Sequence, residues 1–329
     1  MSFIRKESQG SLNLRAGEWV EVRSAKEILA TLDGNHAIHG LPFMPEMLQY
    51  CGRRFRVYKS AHKTCDTIES YSIRWMSEAV HLEGLRCDGG AHGGCQADCL
   101  LFWKEAWLKR VEDGDQPSAA PPAVVPSNET TTLYESVRVR GVDGEERFRC
   151  QATELRNATR EVRRRERWDP RFYFKDLTSG NVTIRDFFTY GLFAMFNAFM
   201  LTWARRRYPY LRGRAGKTTP NVTLNLKPGD LVQVRSKDEI MGTLNSGLRN
   251  RGLWFDVEMV PFCENGTYTV KRRVDRIINE KTGVMMKLPG PSVILDDVTC
   301  SGNYSMCRMF CPRAIYPYWR EAWLTKAEL

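Results

Sequence analysis

Apolar and polar residues alternate with a period of two in Trp19-Val-Glu-Val-Arg-Ser24 and again in Leu231-Val-Gln-Val-Arg-Ser236, the pattern of a strand with one face buried. A glycine and an acidic residue precede each run, Gly17-Glu18 and Gly229-Asp230, and mark a turn. Further short runs follow: RFRVYK (54–59), YSIRWM (71–76) and EAVHLEGL (78–85) after the first, and TYTVKRRV (267–274), GVMMKL (283–288) and SVILDDV (292–298) after the second. Each reads as a strand, with Glu280-Lys-Thr-Gly283 as a tight hairpin turn. The phrases FWKEAWLKR (102–110) and YWREAWLTK (318–326) have helical spacing and predict a short helix closing each unit.

These coincidences come from an internal repeat. Residues 17–51 align without a gap on 229–263, with 15 of 35 positions identical, far above the two or three that chance gives. At the same offset Cys51, Cys95 and Cys99 map onto Cys263, Cys307 and Cys311, and Cys87 maps onto Cys300 with a one-residue slip. Missing such a repeat would misassign the fold. Several short strands per copy predict a small barrel, and the opening phrase G-[ED]-x-V-x-V-R-S resembles the first strand of SH3-like barrels. The fold expected is mainly β with some α: two tandem duplicated SH3-like barrels, each with a four-cysteine metal site and a C-terminal helix, plus a basic α+β middle segment.

The implied organisation is an N-terminal extension (1–16), a first module (17–110), a Pro-rich flexible linker (111–133), a basic segment (134–227) and a second module (228–329). The linker has four prolines and no Lys or Arg. In the basic segment, residues 135–155 predict a hairpin leading into a helix, and 172–187 a second hairpin around Ser179-Gly180-Asn181. Residues 187–204 are uncharged for 18 positions, the lower edge of membrane-spanning length. Phe188, Leu192, Phe196, Phe199 and Trp203 fall on one helical face. A core helix is the first reading. An interfacial helix anchored by Arg205 to Arg207 is the alternative, and a spanning helix is the least favoured.

Composition is that of a folded chain: 42% hydrophobic, 27% charged and 11% aromatic, which excludes collagen-like, wholly disordered and ordinary integral-membrane classes. The net charge of +10 is concentrated, since residues 134–227 hold 20 Lys and Arg against 10 Asp and Glu. Arg163, Arg164, Arg165 and Arg167 beside Trp168 form one run and Arg205, Arg206 and Arg207 another. Arginines interleaved with aromatics can grip nucleic acid, an anionic glycan or an anionic lipid. The charged N-terminus lacks an apolar signal core, so the expected location is cytoplasmic, with a peripheral position at the inner membrane as the alternative.

In that compartment ten cysteines point to metal ligands or buried thiols rather than structural disulfides. The expected ligand sets are Cys51, Cys87, Cys95 and Cys99 in the first module and Cys263, Cys300, Cys307 and Cys311 in the second, holding two zinc ions per chain, with iron–sulfur clusters as the alternative. All five histidines precede residue 100. The first module alone adds Cys65 and His92, the candidates for a thiol nucleophile or an open metal site. The matched acidic residues Glu46/Glu258 and Glu27/Glu239 read as surface or capping groups. No phosphate-binding loop, dinucleotide fingerprint, nucleophile elbow or H-E-x-x-H is present.

The phrases GDLVQVRSKDEI (229–240), RGLWFDVEM (251–259), LRCDGGAHGGCQA (85–97) and CPRAIYPYWREAWL (311–324) resemble a bacterial family whose members are labelled hypothetical, across essentially the whole chain. The resemblance implies a setting beside genes for cell-surface polysaccharide or specialised-metabolite synthesis, and assigns neither a reaction nor any residue. Two functions follow from these observations. One is a metal-stabilised binding or scaffold protein that engages an anionic partner through the basic segment. The other is a metal- or thiol-dependent biosynthetic enzyme with the first module active and the second structural.

Overall fold

The computed structural model describes residues 11–111, 127–141, 144–163, 165–263 and 266–327. Strands form where the alternation places them. Leu100–Lys104, Ala79–Arg86, Arg54–Ser60, Trp19–Val22 and Leu108–Arg110 make one five-stranded sheet in that order, and Trp319–Arg320, Ser292–Leu295, Thr267–Arg273, Leu231–Val234 and Leu324–Lys326 make another. Neighbouring strands in both sheets run antiparallel. The register shifts at matching points, between Val57 and Lys59 and between Val270 and Arg272.

Each sheet closes over its own core. Trp103 and Trp107 are fully buried in the first lobe and Trp319 and Trp323 in the second. Phe43 meets Trp107 edge-on at 5.3 Å, and Phe255 meets Trp323 the same way at 5.4 Å, the geometry that the ring quadrupoles favour. Ser24 with Glu27 and Ser236 with Glu239 form capping boxes that start a short helix after each first strand, which accounts for the matched Ser and Glu of the repeat. The closing phrases differ from expectation. Rather than a helix, each is a strand, a single 3-10 turn (Glu105–Trp107, Glu321–Trp323) and a strand. This arrangement returns the chain to pair with the first strand while both tryptophans stay inside.

The middle segment departs further. A helix over Ser127–Ser136 occupies the end of the expected linker, and residues 112–126 lie outside the described ones. The first expected hairpin forms between Arg138–Arg140 and Glu146–Phe148, but the helix expected after it is a run of turns over 151–158. The second does not: Pro170–Thr178 and Ile184–Trp203 are helices. Pro170 sits at the first helical position and Asp169 caps it, its side chain accepting from the Arg171 amide, a start signal that overrides the strand-like run of aromatics.

The lobes are joined by an exchange. The second lobe's hairpin (Arg276–Ile278, Met285–Lys287) lies on the cysteine loop of the first, where Gln96 Oε1 accepts the Asp275 and Arg276 amides at 2.7 and 3.0 Å and Cys95 Sγ accepts that of Ile278 at 3.4 Å. The first lobe's hairpin (Lys63–Cys65, Ile73–Trp75) lies on the cysteine segment of the second, where Arg313 donates to the Cys65 carbonyl and to Thr67.

Candidate metal centre

The strand Ala79–Arg86 delivers Cys87 to a loop whose neck is closed by the Cys87 amide donating to the Cys99 carbonyl at 2.8 Å. Gly89 makes the loop tight: its φ is +75°, and a Cβ there would fall 2.1 Å from the Cys95 carbonyl oxygen. Beneath the loop, the 3-10 turn Pro45–Tyr50 presents Glu46. Glu46 Oε1 accepts the Ala91 amide at 3.0 Å and lies 2.6 Å from His92 Nδ1. His92 Nε2 faces the Arg149 carbonyl at 3.1 Å. Both ring nitrogens therefore face oxygen atoms, which fixes the orientation of the ring.

Burial pushes the Glu46 carboxyl up, but the His92 hydrogen bond and charge, with the Ala91 amide, outweigh it and hold the group below its ordinary range. Its second oxygen, Oε2, is buried without a partner. Cys87 completes a trio, because one donor atom from each of Glu46, Cys87 and His92 lies within 4.8 Å of the others. Among the described residues this is the one such group of three or more donors. It borders a cavity of about 40 Å³, room for an ion and a few waters, lined also by Cys95, Cys99, Cys150 and Arg313. Burial raises the Cys87 and Cys99 thiols and pushes Cys150 up to about 11, so they are neutral unless a cation draws off a proton.

A carboxylate, a thiolate and an imidazole suit a borderline divalent cation, and three protein ligands leave a coordination position open. The orphaned Glu46 oxygen fits such a cation; binding would require the Cys87 thiol to release its proton. An iron–sulfur cluster fits poorly, since it needs about four thiolates and this trio supplies one.

Neither expected cysteine quartet forms a compact donor group among the described residues. Cys51 is fully buried in the first core, its thiol raised to about 12 by burial. Cys263 is buried in the second core with Sγ 3.7 Å from the Met259 carbonyl. Both cysteines end the 3-10 turn that carries the matched glutamate, and their side chains join the hydrophobic core. Cys307 Sγ lies 3.3 Å from Ser305 Oγ. In the second lobe Glu258 has no histidine partner: it accepts the Ser301 hydroxyl and the Asn303, Tyr304 and Ser305 amides. Glu46 and Glu258 are thus buried loop anchors rather than surface groups, whereas Glu27 and Glu239 cap helices as expected.

The structure does not bring Cys65 and His92 together. His92 is engaged by Glu46 and Arg149, whereas Cys65 crosses to the second lobe and packs with Cys311, Ile73 and Val162. The hydrogen bond to Cys311, together with burial, raises the Cys65 thiol, and the same bond lowers that of Cys311. Cys300 is near this pair, its own thiol raised by burial.

The two arginine runs differ. Arg163 and Arg165 are exposed, Arg167 is half-buried and donates to Ser72 Oγ at 3.1 Å, and Arg160 pairs with Glu166. Arg164 and the Trp168 side chain lie outside the described residues. Arg205, Arg206 and Arg207 are exposed, with Arg206 over the Tyr210 ring at 5.3 Å, and they make no ion pair among the described residues. Sequence reasoning passed over Cys150, which lies in the unrepeated segment, and over the pairing of Glu46 with His92. Glu46 falls five residues before Cys51 and His92 three before Cys95, and that proximity to the repeated cysteines is the signal available.

No family model, curated protein or solved structure matches the chain.

Proposed function

We propose that the protein is a metal-stabilised two-lobe scaffold that offers its basic middle segment to an anionic partner. The observation that carries this reading is the convergence of Glu46, Cys87 and His92, in which a neutral thiol, a buried orphaned carboxylate oxygen and an imidazole face one another beside a small cavity. A cation there would tie the 3-10 turn, the cysteine loop and, through His92 and Arg149, the middle segment into one body. Zinc is the cation this donor set favours. The matching strand orders and the repeated sequence support two copies of an SH3-like barrel derived by duplication.

Elemental analysis of the purified full-length chain tests the metal. One zinc per chain is expected, lost in Cys87→Ser and in His92→Ala; a metal-free protein, or metal content indifferent to both substitutions, overturns the centre. Salt-dependent binding to heparin, RNA or anionic vesicles tests the partner.

The small cavity beside Cys87 and His92, where a cation held by three protein ligands would have room for a further ligand, favours a second reading, a metal-dependent enzyme of polysaccharide or specialised-metabolite synthesis with the first lobe active. A pathway product unaffected by His92→Ala in a folded protein would remove it.

A further inference from the structure

We propose that the long helix Ile184–Trp203 and the arginines that follow it seat the protein on an anionic lipid surface, with the helix lying in the plane of the interface. This rests on the reading that the middle segment meets an anionic partner, and it names that partner's class.

One face of the helix has no cover. Phe188, Leu192, Met195, Phe196, Phe199 and Trp203 are between 49 and 83% exposed. Their spacing of one, three and four residues gathers them along one side. The sequence reading of this face as core is therefore corrected: the buried contacts lie on the other side. There Phe187 stacks on Phe310 at 5.8 Å, and Tyr190 and Phe193 meet Tyr304 edge-on at 5.6 and 5.7 Å. The helix is fixed to the body through aromatic contacts and still leaves an apolar strip outside. A strip of this size on a folded surface marks an interaction site.

The end of the helix supplies the charge. Between residues 184 and 217 there are seven Lys or Arg and one acidic residue. Asn197, buried in the helix, accepts from the Tyr208 amide at 2.7 Å and donates to the Tyr208 carbonyl at 2.9 Å. That clamp folds Arg205, Arg206 and Arg207 back beside the helix end, where they are exposed. Trp203, Tyr208 and Tyr210 stand exposed at the same end, the residue types that settle at the boundary between lipid headgroups and acyl chains.

Lipid fits both halves of this surface. Nucleic acid or glycan would satisfy the arginines but leave Leu192 and Met195 in water, whereas an anionic bilayer takes the apolar strip into its boundary and pairs its headgroups with the arginines. A second copy of the chain would bring two like-charged arginine runs together. Spanning is not required, since no helix among the described residues is long and apolar enough to cross a membrane.

Co-sedimentation of the full-length protein with vesicles tests the proposal. Vesicles of phosphatidylcholine mixed with phosphatidylglycerol are expected to retain the protein, and pure phosphatidylcholine vesicles or high salt to weaken retention about tenfold. Leu192→Glu with Phe196→Glu, and separately Arg205→Glu with Arg206→Glu, should each reduce binding about tenfold while the far-ultraviolet spectrum stays native. Binding to heparin or RNA without binding to anionic vesicles overturns the lipid assignment and leaves the anionic-partner reading standing. Absence of binding to all three overturns both. A dimer that Phe196→Glu dissociates, with no vesicle binding, gives the strip to a second copy and also overturns the proposal.

Discussion

Lys63 and Asp176 form an ion pair from which water is excluded: Nζ donates to Oδ2 at 2.5 Å and neither side chain has measurable exposure. The second carboxylate oxygen lies 3.2 Å from His62 Nε2. The rings of Phe172, Tyr173 and Phe310 surround the ammonium at 5.2 to 5.4 Å. Lys63 belongs to the first lobe's hairpin, Asp176 to the middle helix and Phe310 to the second lobe, so three parts of the chain converge on one charge.

Asp176→Asn should therefore cost at least about 3 kcal/mol, because it keeps the shape of the site but strands a buried ammonium. The double replacement Lys63→Met with Asp176→Leu should recover most of that loss, since an apolar pair of similar volume needs no charge compensation. Urea denaturation of the two variants beside the parent checks both statements. Equal destabilisation by the single and the double change would show that packing, rather than the unpaired charge, sets the cost.

How far this arrangement could be foreseen varies along the chain. Trp19–Val22 and Leu231–Val234 were legible because a half-buried strand imposes period two, and the capping boxes because Ser and Glu stand three apart. Helix Pro170–Thr178 was masked by Phe172, Tyr173 and Phe174, whose density resembles a strand while the Asp169-Pro170 start signal is only two residues long. For Ile184–Trp203 the period was clear but the buried side was not, since aromatics occupy both faces. The candidate metal centre was half legible. Cys87 and His92 stood out, but Glu46 and Glu258 each anchor the loop of their own lobe, so that likeness concealed the contact of Glu46 with His92. The placement of Cys65 against Cys311 could not be read at all, because it depends on the exchange of hairpins between lobes.

Acid should destabilise the fold through His81. Its Nδ1 lies 2.9 Å from the Leu101 carbonyl in a fully buried position, and burial first, then the nearby Arg313, Arg86 and Lys59 charges, depress its pKa from 6.5 to about 3. Between those values the unfolded chain carries the proton and the folded one does not, so the stability present above about pH 6.5 falls as pH drops toward 3, at about 1.4 kcal/mol per pH unit at most. His62 is depressed for the same leading reason and acts in the same direction. A His81→Phe variant should show a flatter acid limb in denaturation midpoints measured from pH 7 to 4. A limb as steep as the parent's would assign the effect to other groups.

Core and ligand cysteines should separate on substitution. Cys51→Ala and Cys263→Ala remove buried atoms from the two cores, and each should lower stability by about 1 kcal/mol while leaving metal content unchanged. Cys87→Ser should abolish metal binding, and a chelator should lower the thermal midpoint of the parent but not of this variant. Loss of metal in Cys51→Ala would restore the thiolate quartet in the first lobe.

Glu321 should be among the most costly carboxylates to remove. It is fully buried, and its two oxygens accept the amides of Leu224, Asn225 and Leu226 together with the Arg273 guanidinium at 2.7 Å. Glu105 holds the Asn13 and Leu14 amides and the Ser11 hydroxyl in the corresponding place, so in each lobe the closing phrase clasps the segment that enters the first strand. Glu321→Ala leaves three backbone donors without their acceptor and the Arg273 guanidinium with only the Leu226 carbonyl and Asp275. At about 1 to 3 kcal/mol for each buried unpaired group, partly relieved by entering water, a loss of about 3 kcal/mol or more is expected. Glu321→Gln retains one acceptor oxygen and should lose less, because the amide can still take some of the backbone hydrogens while failing to balance Arg273. Hydrogen exchange gives the decisive reading: the amides of 224–226 should exchange faster in both variants, in the order Ala above Gln, with those of 12–14 unchanged. Uniform acceleration across both lobes would mean that the clasp stabilises the whole molecule as one unit rather than its own entry strand.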